Sequence, residues 1–168
     1  MGLNVTYKDL KTLCEEILRA EGFPDETASD IVEVLLEADL RDIPSHGVAR
    51  LGRYIKERDR GNIRIDSEPE IIHNTPISAS VDGRGGPGQS VSKFAMDLSI
   101  QKARQSMIGL VSVRNSNHYG ISAFYSERAL TEGMIGIAMT NSYPLVVPTF
   151  GKEAVLGTNP FSIAIPGE

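Results

Sequence analysis

Apolar residues recur at helical spacing through the first third of the chain, and they predict three helices. The first helix begins after Thr6, whose spacing to Asp9 resembles a capping box, and Gly22 is its stop signal. The second helix is predicted over residues 24–42, where a proline and two acidic residues suit the first turn. The third helix is predicted over residues 45–58, with its apolar positions turned toward the same core.

From Glu70 onward the pattern changes to short β-branched runs that alternate with helical segments. The predicted strands cover residues 70–75, 76–82, 108–113, 134–140 and 161–166, and the predicted helices between them cover 89–104 and 121–132. This alternation is typical of an α/β domain with a largely parallel or mixed sheet. We therefore predict an N-terminal helical subdomain, residues 1–60, followed by a mixed-sheet α/β domain, residues 61–168.

Composition and charge exclude several classes of protein. The chain has 168 residues, of which 40% are hydrophobic and 23% charged, and its formal net charge is −5. Such a composition is typical of a soluble globular protein, and its mild acidity gives no general attraction to nucleic acid or to an anionic membrane. No apolar run approaches the roughly 18 residues of a membrane span, and the first residues lack a signal-peptide pattern. We therefore expect a cytoplasmic protein with no nucleic-acid or membrane partner.

Cysteine and histidine are scarce. The single cysteine, Cys14, excludes an intrachain disulfide, and its place among the apolar positions of the first helix predicts a buried thiol. The three histidines show neither H-x-x-x-H nor H-E-x-x-H spacing, so we predict no metal site.

The segment SHGVARLGRY is the first candidate for chemistry. On a helix that begins near Ser45, the residues His46, Arg50 and Tyr54 are spaced by four and line one face, away from the apolar stripe. The free N–H groups of a helix N-terminus favour an anion, and an arginine can hold a carboxylate through two parallel hydrogen bonds. The alternative interpretation is a helix cap followed by a solvated polar face.

The segment RNSNHYG, residues 114–120, is the second candidate. It follows an apolar strand and precedes a helix, and in α/β proteins ligands bind at loops that leave the carboxyl ends of strands. His118 in this loop is suited to proton exchange near neutral pH, although a loop histidine held by turn hydrogen bonds is the alternative. His73, within a predicted strand, is expected to be structural.

Residues 83–88, GRGGPG, match G-x-G-x-x-G literally. The preceding strand alternates with serine, and no acidic residue occurs about 20 positions later, as a dinucleotide-binding fingerprint requires. We therefore predict a tight turn and not a Rossmann phosphate site.

Several separated segments in order together resemble the malate/L-lactate dehydrogenase family that is distinct from the Rossmann-fold lactate dehydrogenases. They are SHGVARLGRY, VRNSNHYGISAFYSERAL and GMIGIAMTNSYPLVVPTFGKEAVLGTNPFSIAIP. The resemblance implies a homodimeric enzyme with a non-Rossmann fold that transfers hydride between NAD or NADP and a small 2-hydroxy or 2-oxo acid. That family is also known through sulfolactate, ureidoglycolate and diketogulonate oxidoreductases.

The resemblance also assigns roles to individual residues. His118 is the leading general acid/base and His46 the second candidate for it, while Arg50 completes the catalytic set. Substrate binding falls to Ser45, Arg50 and Tyr54. Cofactor binding falls to the residues of the T-N-S and G-T-N-P motifs, namely Ser142, Gly157, Thr158, Asn159 and Pro160.

Members of that family continue beyond the G-T-N-P strand, so we expect these 168 residues to correspond to the N-terminal half and the α/β domain to be incomplete. The competing interpretation is a non-catalytic module that keeps the fold and dimerises or binds a small acid without turnover. The resemblance leaves open which 2-hydroxy acid is the substrate and which of the two nicotinamide cofactors is used.

Overall fold

The computed structural model of the chain describes residues 4–167 and begins with the two predicted helices. Helix α1 covers Tyr7–Ala20 and helix α2 covers Asp25–Leu40. Thr6 caps α1 as predicted, because its Oγ1 accepts a hydrogen bond from the Asp9 N–H at 3.2 Å. Gly22 takes a φ of +85° in the turn between the helices, a backbone conformation that glycine adopts without strain.

The prediction of one continuous helix over residues 45–58 is wrong. Two three-residue 3₁₀ turns, Pro44–His46 and Val48–Arg50, precede a shorter helix α3, Leu51–Asp59. Gly47 separates the two turns in an extended conformation, with ψ at −162°, and the carboxylate of Asp39 on α2 accepts a hydrogen bond from the Val48 N–H at 2.8 Å. A side chain from another helix thus satisfies a backbone donor that a continuous helix would have used internally.

The helices pack around one apolar core. Cys14 is buried in it, as predicted, and burial foremost, with the nearby charge of Asp39, raises the pKa of its thiol. The core extends past residue 60, since Ile63 is buried in the same cluster. Its larger members are Leu18, Phe23, Ile31, Leu35, Leu36, Leu51 and Tyr54.

A three-stranded mixed sheet follows the helices. Strand β1, Glu70–Asn74, pairs antiparallel with β2, Ser78–Asp82, which pairs parallel with β3, Leu110–Arg114. Parallel neighbours need a long crossover, and helix α4, Gly88–Ser106, provides it. Lys93 of α4 binds α2 through Asp30 at 2.5 Å and Glu33 at 2.8 Å.

The remaining elements form a separate two-stranded sheet with one helix. Helix α5, Ser122–Arg128, is shorter than predicted because the chain tightens into a 3₁₀ turn over Ala129–Glu132. Strand β4, Gly136–Met139, pairs antiparallel with β5, Phe161–Ala164, and Ser126 of α5 shares a 2.8 Å hydrogen bond with Ser162 of β5.

The predicted fold class is confirmed: helices come first, and a small mixed sheet with α/β connections follows. Two compact units are present, one ending at Ile121 and the other beginning at Ser122. The change at residue 60 is thus a change of secondary structure within the first unit. The division into domains 1–60 and 61–168 stays a prediction. Across residues 4–167, no helix has the length and apolar character needed to cross a membrane.

Candidate active site

His118 lies in the loop that leaves β3, and this loop is anchored by its neighbour Asn117. The Asn117 Nδ2 group donates to the backbone oxygens of Asn62, Gly85 and Gly86 at 2.9–3.1 Å. The glycine-rich segment 83–88 is therefore a tight turn, as predicted, whose carbonyl groups hold the histidine loop.

The start of α4 presses against the same loop. A Cβ atom at Gly88 would lie 2.6 Å from the His118 carbonyl carbon and closer still to the oxygens of residues 117 and 118. Such distances are shorter than real Cβ contacts, so only glycine fits at this point of approach. The loop bearing His118 is thus held from two sides.

Two donors converge on Nδ1 of His118. The Tyr54 hydroxyl oxygen lies 2.8 Å from this nitrogen, and the backbone N–H of Gly120 donates to it at 3.3 Å. A backbone N–H only donates, so Nδ1 is an acceptor, the tyrosine hydroxyl donates to it, and the neutral ring carries its proton on Nε2.

The position of Tyr54 corrects an expectation. Helical spacing placed it on one polar face with His46 and Arg50, away from the apolar stripe, yet its side chain is only 1% exposed and belongs to the apolar core. Helix α3 begins at Leu51, so the four-residue spacing from His46 does not measure one helix face. Its hydroxyl lies 2.8 Å from His118 Nδ1, and its role in substrate binding stays a prediction.

The SHGVAR turn brings the predicted residue His46 against His118, and it links Ser45 and Arg50 to His46. The His46 ring stacks on the His118 ring at 5.5 Å between centroids, with 24° between their planes. Ser45 Oγ lies 2.9 Å from His46 Nδ1, and the Arg50 Nε–H donates to the Ser45 carbonyl oxygen. The predicted anion pocket at a helix N-terminus is absent from this segment, since residues 44–50 form 3₁₀ turns of three residues.

Positive charge dominates the electrostatics of the cluster. Burial foremost, followed by the charges of Arg50, His46 and Arg53, lowers the pKa of His118 to about 4. Burial and the Arg50 charge also lower the pKa of His46. Within residues 4–167 Arg50 forms no ion pair, so its guanidinium is available to an anion. A small carboxylate is a ligand of matching charge and geometry.

Burial has the opposite effect on Tyr54. It raises the pKa of this hydroxyl to about 12, against the Gln89 amide and the charges of Arg50 and Arg53, which lower it. Gln89 itself is fully buried, and its amide nitrogen and oxygen make no hydrogen bond of ordinary geometry to any described residue. Its amide is therefore close enough to act on Tyr54 but is not paired with it.

The predicted cofactor residues lie in the second unit, where they tie the two ends of the loop over residues 141–160 together. The Ser142 N–H donates to Asn159 Oδ1 at 3.0 Å, and the Thr158 N–H donates to Ser142 Oγ at 2.9 Å. Gly157 fits between them, because a Cβ there would lie 2.5 Å from the Ser142 carbonyl oxygen. The Pro160 oxygen accepts from the Thr140 N–H at 3.2 Å. Hydroxyl and amide groups of this kind suit the ribose and carboxamide of a nicotinamide cofactor.

Sequence reasoning missed two residues that shape the site, Gln89 and Asp39. Gln89 is the second residue of α4 and lies in no motif, so no sequence signal marked it. Asp39 is one of several acidic residues of α2, and nothing in its own segment marked it. The one signal was the glycine of S-H-G, because Gly47 fits against the Asp39 carboxylate. Among residues 4–167, no three His, Cys, Asp or Glu side chains are grouped as metal ligands.

Comparison with known proteins agrees with this architecture. A family model described as malate/L-lactate dehydrogenase matches residues 5–168. The chain is 49% identical to a malate dehydrogenase of Pyrococcus abyssi over 164 residues, which are 98% of this chain and 45% of that protein. It is 43% identical to an L-sulfolactate dehydrogenase of Methanocaldococcus jannaschii over 157 residues, 94% of this chain and 46% of that protein.

A solved structure agrees as closely. The malate dehydrogenase of Pyrococcus horikoshii superposes with a TM-score of 0.94 at 44% identity, covering 98% of this chain and 47% of the other. The fold is shared with solved malate and sulfolactate dehydrogenases. The chain belongs to the malate/L-lactate dehydrogenase family, and it spans about half the length of the curated relatives it matches.

Proposed function

We propose that this chain takes part in an oxidoreductase reaction that transfers a hydride between NAD or NADP and a small 2-hydroxy or 2-oxo acid. One observation carries the proposal: the His118 imidazole lies in a half-buried cationic cluster within reach of the Arg50 charge. A proton carrier beside a carboxylate-binding group is what a 2-hydroxy acid requires. The family membership and the names of the relatives support the same class of reaction.

Each residue has a distinct part in this proposal. Arg50 binds the substrate carboxylate and thereby orients the C2 carbon, with Ser45 supporting the turn that holds the arginine. His118 exchanges a proton with the C2 oxygen, and His46, stacked on it, is the second candidate for that role. The nicotinamide supplies or accepts the hydride when bound.

Substrate binding and proton chemistry are coupled in this arrangement. The Arg50 charge contributes to the low pKa of His118, so a carboxylate that neutralises Arg50 relieves part of that repulsion. The pKa of His118 therefore rises when an anionic substrate is bound. A neutral analogue of the same shape lacks this effect.

The cofactor assignment rests on the loop of the second unit. Ser142, Thr158 and Asn159 present hydroxyl and amide groups at one point of the surface, and Gly157 with Pro160 shapes the backbone there. We assign these residues to NAD or NADP. A homodimer is proposed on the family resemblance, and sedimentation of the purified chain tests it.

The test uses the purified 168-residue chain. NADH and NADPH are titrated by fluorescence, and reduction of oxaloacetate, pyruvate and sulfopyruvate is followed by absorbance. His118→Ala is expected to lower turnover by at least ~100-fold while cofactor binding survives. His73→Ala is the matched control, because His73 lies exposed on β1 outside the cluster. A near-normal rate in His118→Ala would transfer the proton role to His46.

The second candidate is a binding module without turnover, and the Arg50 guanidinium, which forms no ion pair within residues 4–167, favours it. In that case a small dicarboxylate would bind the chain and Arg50→Ala would abolish binding, while no variant or cofactor concentration would give turnover. Isothermal titration with malate, in parallel with the assay above, separates the two functions.

A further inference from the structure

We infer that Tyr54 is a second proton carrier of this site: it passes its hydroxyl proton to His118 Nδ1 while His118 gives its Nε2 proton to the substrate oxygen. This inference rests on the proposed function. It assigns to Tyr54 a positioning and relay role behind the histidine, in place of contact with the substrate.

The direction of the hydrogen bonds carries the first step. Nδ1 of His118 accepts from the Gly120 N–H, so it holds no proton in the neutral ring, and the 2.8 Å contact makes the Tyr54 hydroxyl a donor to it. The one ring proton is then on Nε2. The ring is therefore set to donate toward a ligand, with a proton source already in place behind it.

The charge of the cluster carries the second step. Burial and the neighbouring charges lower the pKa of His118 to about 4, so the ring is neutral near pH 7. A neutral imidazole that gave up its Nε2 proton alone would become an imidazolate anion. The N–H of neutral imidazole is a weaker acid than the tyrosine hydroxyl, so this step alone is unfavourable. Transfer from Tyr54 as the Nε2 proton leaves keeps the ring neutral throughout.

The bonds balance in both directions. In reduction, the C2 oxygen gains the Nε2 proton, the Nδ1–H bond forms, and the Tyr54 O–H bond breaks to leave a phenolate. After product release, water protonates Nε2 and the Nδ1 proton returns to Tyr54. Oxidation of a 2-hydroxy acid follows the same transfers in reverse and starts from the phenolate.

Burial disfavours a phenolate at Tyr54 and raises the pKa of its hydroxyl to about 12, but three neighbouring groups act in the opposite direction. Arg50 and Arg53 both place positive charge near the hydroxyl, and the Gln89 amide beside it also favours the ionised form. Gln89 is fully buried with both amide atoms unpaired, an arrangement that costs free energy in the resting protein. An N–H group left without a partner in the resting site is available to the phenolate when it forms.

The first test needs no turnover. The full chain is labelled with ¹⁵N-histidine, and the two ring nitrogens of His118 are observed by NMR across the neutral range. We expect an unprotonated Nδ1 and a protonated Nε2, with no titration near neutral pH. A proton on Nδ1, or an imidazolium at pH 7, overturns the relay.

The second test compares Tyr54→Phe with Tyr7→Phe, a control on the exposed surface of α1. Tyr54→Phe is expected to lower kcat by about 100-fold with KM little changed, because general acid–base groups contribute roughly 10²–10⁴-fold. The dependence of kcat on the deuterium fraction in mixtures of H₂O and D₂O should indicate two protons transferred in the same step for the wild-type chain and one for the variant. A substrate-binding role for Tyr54 would instead raise KM and leave the isotope dependence unaltered, which would overturn the relay.

The two tests also separate this inference from the proposed function. If the wild-type chain turns over but Tyr54→Phe matches it, the relay is wrong and the proposed function stands. If neither chain turns over with any 2-oxo acid, the proposed function fails for this chain, and the ring-nitrogen spectra still decide whether Tyr54 donates to His118.

Discussion

Gly47 offers a direct test of how the SHGVAR turn is held. Its φ of −85° is open to any residue, so replacement by alanine introduces no backbone strain. A Cβ at this position would nevertheless lie 2.6 Å from Asp39 Oδ2 and closer to the other carboxyl atoms. Gly47→Ala must therefore displace the Asp39 carboxylate from the Val48 N–H that it binds at 2.8 Å.

The expected cost follows from that displaced bond. A hydrogen bond to a charged group is worth about 1.5–3 kcal/mol, while replacing glycine by alanine at a permissive φ stabilises by about 0.4–1 kcal/mol through the unfolded chain. Gly47→Ala should therefore lower the free energy of unfolding by about 1–2 kcal/mol. Urea unfolding followed by circular dichroism measures it.

Two further variants test whether the cost of Gly47→Ala arises from the Asp39 carboxylate. Gly52→Ala in α3 is the control, since a Cβ there meets nothing within 4 Å, and it should stabilise slightly. In an Asp39→Ala background the obstructing carboxylate is gone, so Gly47→Ala should change sign and stabilise. Equal costs in the two backgrounds would show that Asp39 does not hold the turn.

Three other substitutions probe the framework of the site. Lys93→Met should cost about 2 kcal/mol by leaving Asp30 unpaired. Burial disfavours the Lys93 ammonium, but its bonds to Asp30 and Glu33 prevail and raise its pKa. The stabilisation from these bonds is therefore complete below the ordinary lysine pKa and is lost as pH rises through the folded value. Urea unfolding at neutral and at strongly alkaline pH measures the cost of the substitution and its pH dependence. Asn117→Ala should cost about 1–3 kcal/mol in the same assay by freeing the His118 loop. Gln89→Leu should raise the Tm, because an apolar side chain replaces a buried amide without partners; an unchanged or lower Tm would contradict that.

The sequence predicted the elements well wherever one local pattern controlled them. The Thr6 cap, the apolar stripe around Cys14 and the glycine turn over residues 83–88 were all predicted from neighbouring residues. These features depend on spacing of a few residues and on the backbone freedom of glycine. They needed no knowledge of what lies opposite.

The third helix was mispredicted because its geometry is set by a partner distant in sequence. Val48, Leu51 and Ile55 have helical spacing and do pack against the core, yet the backbone before Leu51 follows the Asp39 carboxylate. A tertiary hydrogen bond outweighed a weak helical preference at S-H-G. The same limit concealed Gln89, whose importance comes only from its burial beside Tyr54.

In the proposed function, the Arg50 charge and the proton chemistry of His118 act together. Burial foremost, and then the Arg50 charge, keeps the His118 imidazole neutral, which is a handicap to a simple general acid because the ring lacks a second proton. A carboxylate that neutralises Arg50 removes part of that handicap, and a proton donated by Tyr54 to Nδ1 would compensate for the rest. The first of these effects requires an anionic ligand beside Arg50, so a neutral hydroxy compound should be bound poorly and reduced or oxidised more poorly still.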